Sequence, residues 1–347
     1  MILLNTFDFI GRISIPSDRQ NFIKRTNNNK KFIKLLVKQN ENNSGYAYMY
    51  GDTLSSGAIG VVSNRTKRKF LVPFEKRFDK DILNSVSYVS KYYIEYNHKK
   101  IQFIWKDDFM DYLYELINSL SENTIYKVSG DYSISYNNGK LYNNFNIKSV
   151  TVDNSLRPEL TLKLDLFYNY QSLDERDKRN KFILNAYIQQ YVYANKRMEY
   201  FPIQVQFVTN RFDFKNATHI DLIKHRKANL LPDKSEGYVK ATWEAQYVRG
   251  AQLILPPLET LPKDIQFEII NAGRDIKEYM HNVIGKAEEF ICLTRPDNIL
   301  NKDGKAYISI SCTDNEFKSQ INRQFIEDNY ESIDKIAKYD AEKNPFN

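Results

Sequence analysis

The alternation of apolar and polar positions is clearest from Thr124 to Val152 (TIYKVSGDYSISYNNGKLYNNFNIKSVTV). Val128, Tyr132, Ile134 and Tyr136 alternate with Lys127, Ser129, Asp131, Ser133 and Ser135, the two-residue period of a half-buried strand, with Gly130 where a bulge or tight bend would sit. Asn137-Asn138-Gly139-Lys140 tolerates the positive φ of a tight turn, and Leu141–Val152 returns in the same style, so a long hairpin is predicted. Before it the spacing turns helical: Phe109, Leu113, Leu116, Ile117 and Leu120 form one stripe of a helix over Asp107–Leu120, with Asp107 or Asp108 as its cap. Three earlier segments, Phe7–Ile15, Phe32–Gln39 and Tyr46–Asp52, read as strands. In the second, Ile33, Leu35 and Val37 share one face and Lys34 and Lys38 the other; in the third, Tyr46, Tyr48 and Tyr50 lie on one face.

Thr53–Lys106 is longer than a loop should be and must hold structure of its own. It carries the basic run Asn64-Arg65-Thr66-Lys67-Arg68-Lys69, a helical stretch near Asp79–Tyr93 and a strand at Ile101–Trp105, and would serve as a flap over a ligand. After the polar connection Asp153–Pro158 the order begins again. Leu160–Tyr168, Lys181–Tyr193 and Tyr200–Phe214 read as strands, His219–Leu230 as a helix and Tyr238–Ile254 as further strand. From Pro256-Pro257 onward Leu261–Phe290 and Glu316–Lys338 are helical in pattern, with a short strand at Ala306–Cys312. The expectation is a mainly β protein with helices (α+β). It has a domain at 1–154 with an insertion at about 53–106, a second β domain at 155–255, and a mixed, mostly helical region at 256–347.

An apolar content of 42% in 347 residues allows two or three real cores. No apolar run approaches the roughly 20 residues that span a bilayer, and MILLNTFDF lacks a basic start, so a cytoplasmic, membrane-free protein is expected. Cys292 and Cys312 have no C-x-x-C or His neighbours, which gives no support for a disulfide framework or zinc site. Phosphate loops, dinucleotide glycine motifs, H-E-x-x-H and G-x-S-x-G are all missing from the chain, so no enzyme, cofactor or metal is expected; Asp107, Asp108 and Asp111 are better explained by a helix start than by Mg²⁺.

The formal charge of +7 suits a polyanion ligand, and 25 Tyr with 21 Phe exceed what a core needs. Two explanations fit the tyrosines. Flat rings on the polar side of strands stack on bases, and Tyr is also a good strand former in a chain rich in Lys, Asn and Ile. On the first explanation Tyr46, Tyr48 and Tyr50 form a platform beside Arg12, Lys34 and Lys38. Arg65, Lys67, Arg68 and Lys69 reach phosphates from the insertion, and Tyr136, Lys140 and Tyr142 add to the surface from the hairpin. Tyr187, Tyr191, Lys196 and Arg197 make a second aromatic and cationic face in the second module.

The order of these pieces resembles the single-stranded DNA-binding (SSB-like) OB-fold proteins in the form that phages encode. The likeness is carried by Ile10-Gly11-Arg12 in the first strand, Tyr50-Gly51 ending the third and Val128-Ser129-Gly130 leading into the hairpin, over about residues 5–152 less the insertion. It departs in that insertion and in the missing stacking tryptophans. The resemblance implies tandem OB-fold-like barrels and a non-enzymatic coat on single-stranded DNA in replication or recombination, inside the host cytoplasm. The ending Tyr339–Asn347, with Asp340, Glu342, Pro345 and Phe346, resembles the acidic Pro-Phe tail by which cellular single-strand binders recruit replication proteins. An RNA-binding OB protein and a virion assembly protein that uses a barrel for protein contacts fit the same pattern.

Overall fold

The computed structural model describes residues 5–14, 23–25, 30–52, 57–174, 181–192, 194–208, 231–250, 288–296, 307–310 and 312–322, with single positions at Lys263, Gln266, Ile270 and Phe325. The chain is mostly β, with few helices. In the first half the strands are β1 (Thr6–Ser14), β2 (Ile23–Arg25), β3 (Lys31–Lys38), β4 (Ser44–Tyr50), β5 (Ala58–Val62), β6 (Lys69–Pro73), β7 (Tyr92–Tyr96), β8 (Lys99–Phe103), β9 (Ile125–Asn137) and β10 (Lys140–Val152). In the second half they are β11 (Glu159–Tyr168), β12 (Leu173–Asp174), β13 (Lys181–Val192), β14 (Arg197–Val208), β15 (Val239–Gly250), β16 (Glu288–Pro296) and β17 (Ile308–Ser309). Among the described residues the helices with defined ends are α1 (Lys80–Ser85), α2 (Lys106–Ser119) and α3 (Asp314–Ser319), and Lys263, Gln266 and Ile270 are also helical.

Five strands of the first half close on themselves. β1 pairs with β3 and β9, β3 with β4, β4 runs parallel to β10, and β10 pairs with β9. The second half repeats this connectivity: β11 pairs with β13 and β15, β13 with β14, β14 runs parallel to β16, and β16 pairs with β15. β1 and β11 then pair with each other, Thr6 opposite Lys163 through Ile10 opposite Glu159, so both rings lie in one continuous sheet. One core fills both. Phe9 packs against Phe145 at 4.8 Å and stacks on Tyr247 of β15 at 5.5 Å, so a second-ring side chain completes the first ring's aromatic cluster.

Local chemistry explains the elements. Asn138 and Gly139 both take positive φ (50° and 73°), the two-residue turn expected for the β9–β10 hairpin. The bulge expected at Gly130 falls on the partner strand, where the register slips between Ile147 and Ser149. Gly130 itself is needed for close approach, since a Cβ there would lie 1.9 Å from the Asn146 carbonyl oxygen. Gly11 likewise lets β1 pass the Lys38 carbonyl, 2.1 Å from an added Cβ. α2 buries Phe109, Met110, Leu113, Leu116 and Ile117.

Several expectations need correction. Neither Asp107 nor Asp108 caps α2: the helix starts one residue earlier with Trp105 at the cap position, and both carboxylates sit in the first turn, where the helix dipole favours them. Asp108 is paired with Arg77 at 2.7 Å and Asp111 with Lys31. The helix expected over Asp79–Tyr93 stops at Ser85, because Val86 turns extended and Tyr92 and Ile94 alternate into the core as strand β7. β7 runs parallel to β10, so the second half of the insertion is part of the first ring's sheet and not a free flap. The first half keeps a small core of its own, Ile59, Val61, Val72 and Val86 against Ile104 and Trp105.

The second β unit extends past residue 255, since β16 is needed to close its ring. The helix expected at His219–Leu230, the ends Phe214 and Ile254, most of Leu261–Phe290 and Glu316–Lys338, and the tail Tyr339–Asn347 lie outside the described residues; residues 288–290 are strand. Among the described residues of the strand expected at Ala306–Cys312, Ile308–Ser309 is strand and pairs with β15.

Replacing Gly130 with alanine should force the β9–β10 ladder apart and cost about 1–3 kcal/mol, read as a lowered urea midpoint; an unchanged midpoint would contradict the close approach to Asn146.

Candidate nucleic-acid interface

The outer face of the β3–β4 ladder is set by parity. Ile33, Leu35, Val37, Ala47 and Met49 point into the core, which leaves Phe32, Lys34, Leu36 and Lys38 of β3 and Tyr46, Tyr48 and Tyr50 of β4 on the other side. The register pairs Phe32 with Tyr50, Lys34 with Tyr48 and Leu36 with Tyr46. Tyr50 is 49% exposed, and Tyr46, Tyr48 and Phe32 are half-buried. The rings form a ladder: Phe32 to Tyr50 is 4.5 Å between centroids, Tyr48 to Tyr50 is 5.7 Å and Phe32 to Tyr48 is 6.3 Å.

Tyr46 differs from its neighbours. Lys34 Nζ lies 3.9 Å from its ring centroid and the Arg249 guanidinium 4.4 Å, so with two cations against it the ring keeps little open face for a base. It positions charge instead. Tyr48 donates its hydroxyl to Asn144 Oδ1 of β10, and burial, with the neighbouring Tyr50 second, pushes its pKa up to about 12. The phenol therefore stays neutral at any ordinary pH. Arg12, exposed at the end of β1, stands opposite Lys38 and donates to Asn123 Oδ1 at 3.2 Å. Both line a polar cleft of about 520 Å³ together with Ser14, Gln39 and Glu41.

The other candidates are dispersed. Arg65, Lys67, Arg68 and Lys69 are exposed at the β5–β6 turn, where Lys67 takes φ 58°; the turn is held by Ser63 and, through Asn64, by Ser85. Lys140 and Tyr142 are exposed near the hairpin tip, Tyr142 at 47%. Tyr136 is a correction: it is buried with its ring edge-on to Phe325, 5.4 Å away, because inward parity along β9 continues to the hairpin end, and it offers no face to a base.

The expected second aromatic and cationic face does not assemble as one surface. Tyr187 lies under Phe317 of α3 at 5.2 Å, beside Tyr200 and Tyr238, on which Phe317 stacks at 4.2 and 3.7 Å. Tyr191 is 47% exposed, Lys196 sits in the β13–β14 turn at φ 51°, and Arg197 is tied to the buried Glu199 at 2.9 Å; Tyr193 lies outside the described residues. Setting the inward pairs Ile13–Val37 and Leu166–Ile188 as equivalent puts Asn185 and Gln204 where the first ring has Lys34 and Tyr48. Among the described residues the aromatic–cation ladder is found in the first ring alone.

Phe32 and Arg249 were missed. Phe32 shares the parity of Lys34 and was readable from the pattern. Arg249 reaches Tyr46 across 203 residues of chain, and no local pattern carries that.

Neither a protein-family model nor a curated protein sequence matches this chain. Among solved structures it is similar to the single-stranded DNA binding protein from Thermus aquaticus. For a deletion mutant of that protein the TM-score is 0.31 at 10% identity, covering 76% of this chain and 98% of the other. For the wild type it is 0.30 at 8% identity, covering 72% and 87%. No helix among the described residues is long and apolar enough to cross a membrane.

Burial raises the pKa of Tyr48 and Tyr126 to about 12, and those of Tyr92, Tyr132 and Tyr247 also move up. The folded state thus favours the neutral phenol. Its contribution to stability is fully present below the unfolded phenol value of 10.0 and is lost as pH rises from there toward the folded values. The urea midpoint should fall between pH 9 and pH 12, and less steeply in Tyr48→Phe.

Proposed function

We propose that this chain is a non-enzymatic, sequence-tolerant single-stranded DNA-binding protein of the phage-encoded kind, built on two OB-type barrels and serving replication or recombination. The observation that carries the reading is the solvent-facing ladder of exposed Tyr50 with half-buried Phe32 and Tyr48, and Lys34 among the rings. It lies on the outer face of a closed five-stranded ring whose third and fifth strands run parallel, the ring order of an OB barrel. Bases stack on Tyr50, Phe32 and Tyr48, while Lys34, Lys38 and Arg12 displace counterions from the phosphates. Stacking tolerates any base, because each has a π-face. The basic turn Arg65–Lys69 adds long-range attraction from the insertion. The acidic tail with Phe346 recruits replication proteins.

Fluorescence titration with oligo(dT), with matched RNA and duplex DNA as competitors, tests the reading. Tight binding to oligo(dT) that weakens steeply with salt is expected, and equal affinity for duplex would sink it. Tyr50→Ala should cost about 1–3 kcal/mol, the worth of one stacked base. Tyr136→Phe, buried away from the face, should bind as wild type.

A further inference from the structure

Arg249 stands where the two rings meet. Its backbone N–H donates to Asn43 Oδ1 at 2.8 Å, and Asn43 Nδ2 donates to the carbonyl of Tyr247 at 3.3 Å, so the end of β15 is pinned to the β3–β4 turn. The side chain is 37% exposed, its guanidinium 4.4 Å from the Tyr46 centroid and its Nε 3.8 Å from Glu289 Oε2. The other Glu289 oxygen accepts from Asn143 Nδ2 at 2.7 Å, and Asn143 Oδ1 accepts from Tyr132 at 2.6 Å. A cation is therefore delivered by the second ring to the edge of the first ring's aromatic face, held at both backbone and side chain.

We infer that Arg249 is a phosphate-binding residue of that face, so that a bound strand runs from the Tyr48–Tyr50 ladder past Tyr46 and across the seam onto the second ring. The inference rests on the single-strand reading proposed above. Arg249 shares Tyr46 with Lys34, which sets two cations around one ring next to the stacking positions. Its acidic partner among the described residues, Glu289, is loose: a half-exposed pair at 3.8 Å contributes little, and a phosphate, which accepts two parallel N–H bonds from a guanidinium, replaces it readily. Glu289 is then an internal counter-ion, standing in for phosphate until the strand arrives. Because the second ring's counterpart ladder is Asn185 and Gln204, the seam cation is what extends the path beyond the first ring.

The test is an oligo(dT) length series at several salt concentrations on the full chain, with Arg249→Gln, Arg249→Lys and Glu289→Gln. For oligonucleotides long enough to cross the seam, Arg249→Gln should weaken binding about tenfold and reduce the salt slope by about 0.7, the share of one phosphate on a single strand. The shortest oligonucleotides that still bind should show no difference. Arg249→Lys should recover part of the loss, and Glu289→Gln should tighten binding severalfold by removing the competing carboxylate. A structural role at the seam would instead make Glu289→Gln weaken binding as Arg249→Gln does, and that result overturns the inference. So does an Arg249→Gln slope unchanged at every length while the wild type binds. Wild-type protein that binds no oligo(dT) overturns the reading of the face itself.

Discussion

The antiparallel pairing of β1 with β11, sealed by Phe9, Phe145 and Tyr247, is the constraint on which the rest of the structure depends. Two closed rings could sit on a linker and move independently. Here their first strands are hydrogen-bonded neighbours, and Asn5 ties the junction further, its carbonyl accepting from the Tyr132 N–H and its side chain from the Asp165 N–H. Tyr247 is 2% exposed among first-ring phenylalanines, so separating the rings would open a shared apolar core. The seam is therefore rigid enough to hold Arg249 in a fixed place over Tyr46.

Rings with the same connectivity differ in what they show to solvent. The first presents aromatic and cationic side chains. The second covers part of its outer surface with α3, whose Phe317 is fully buried between Tyr200 and Tyr238. That segment is well anchored: Tyr200 exchanges backbone hydrogen bonds with Gln320 and Asn322, and the Asn322 side chain donates to Glu199 at 2.8 Å. Burial is the largest single influence on the Glu199 pKa and pushes it up, but hydrogen bonds from Asn195, Arg197 and Asn322, with the charge of Arg197, together outweigh it and hold the pKa below the usual carboxylate value. A buried carboxylate with three donors ties the C-terminal segment to β14.

The sequence was most legible where one period ran long enough to decide the matter. The β9–β10 hairpin, its two-residue turn and the buried stripe of α2 follow directly from spacing, and the outer face of β3–β4 follows from parity once the strands are placed. Legibility failed for two physical reasons. Short elements are settled by what they pack against: Tyr92 and Ile94 belong to a strand because the first ring's core takes them. Long-range contacts leave no local trace, so the burial of Tyr136 under Phe325, the capture of Tyr187 by Phe317 and the arrival of Arg249 beside Tyr46 needed the folded chain. The tyrosines divided accordingly, Tyr50 to the surface and Tyr132, Tyr136 and Tyr247 to the core, although all alternate alike in sequence.

The position of β16 has a consequence for biosynthesis. It lies between β14 and β15, parallel to the former, and is drawn from residues 288–296, so the second ring stays open until most of the chain has left the ribosome. The first ring has all five of its strands by residue 152 and can close long before. During that interval β14 and β15 present unpaired edges and the apolar side chains of Val205 and Ala245 to solvent, and the nascent chain passes through a stage at which it is open to strand-edge association.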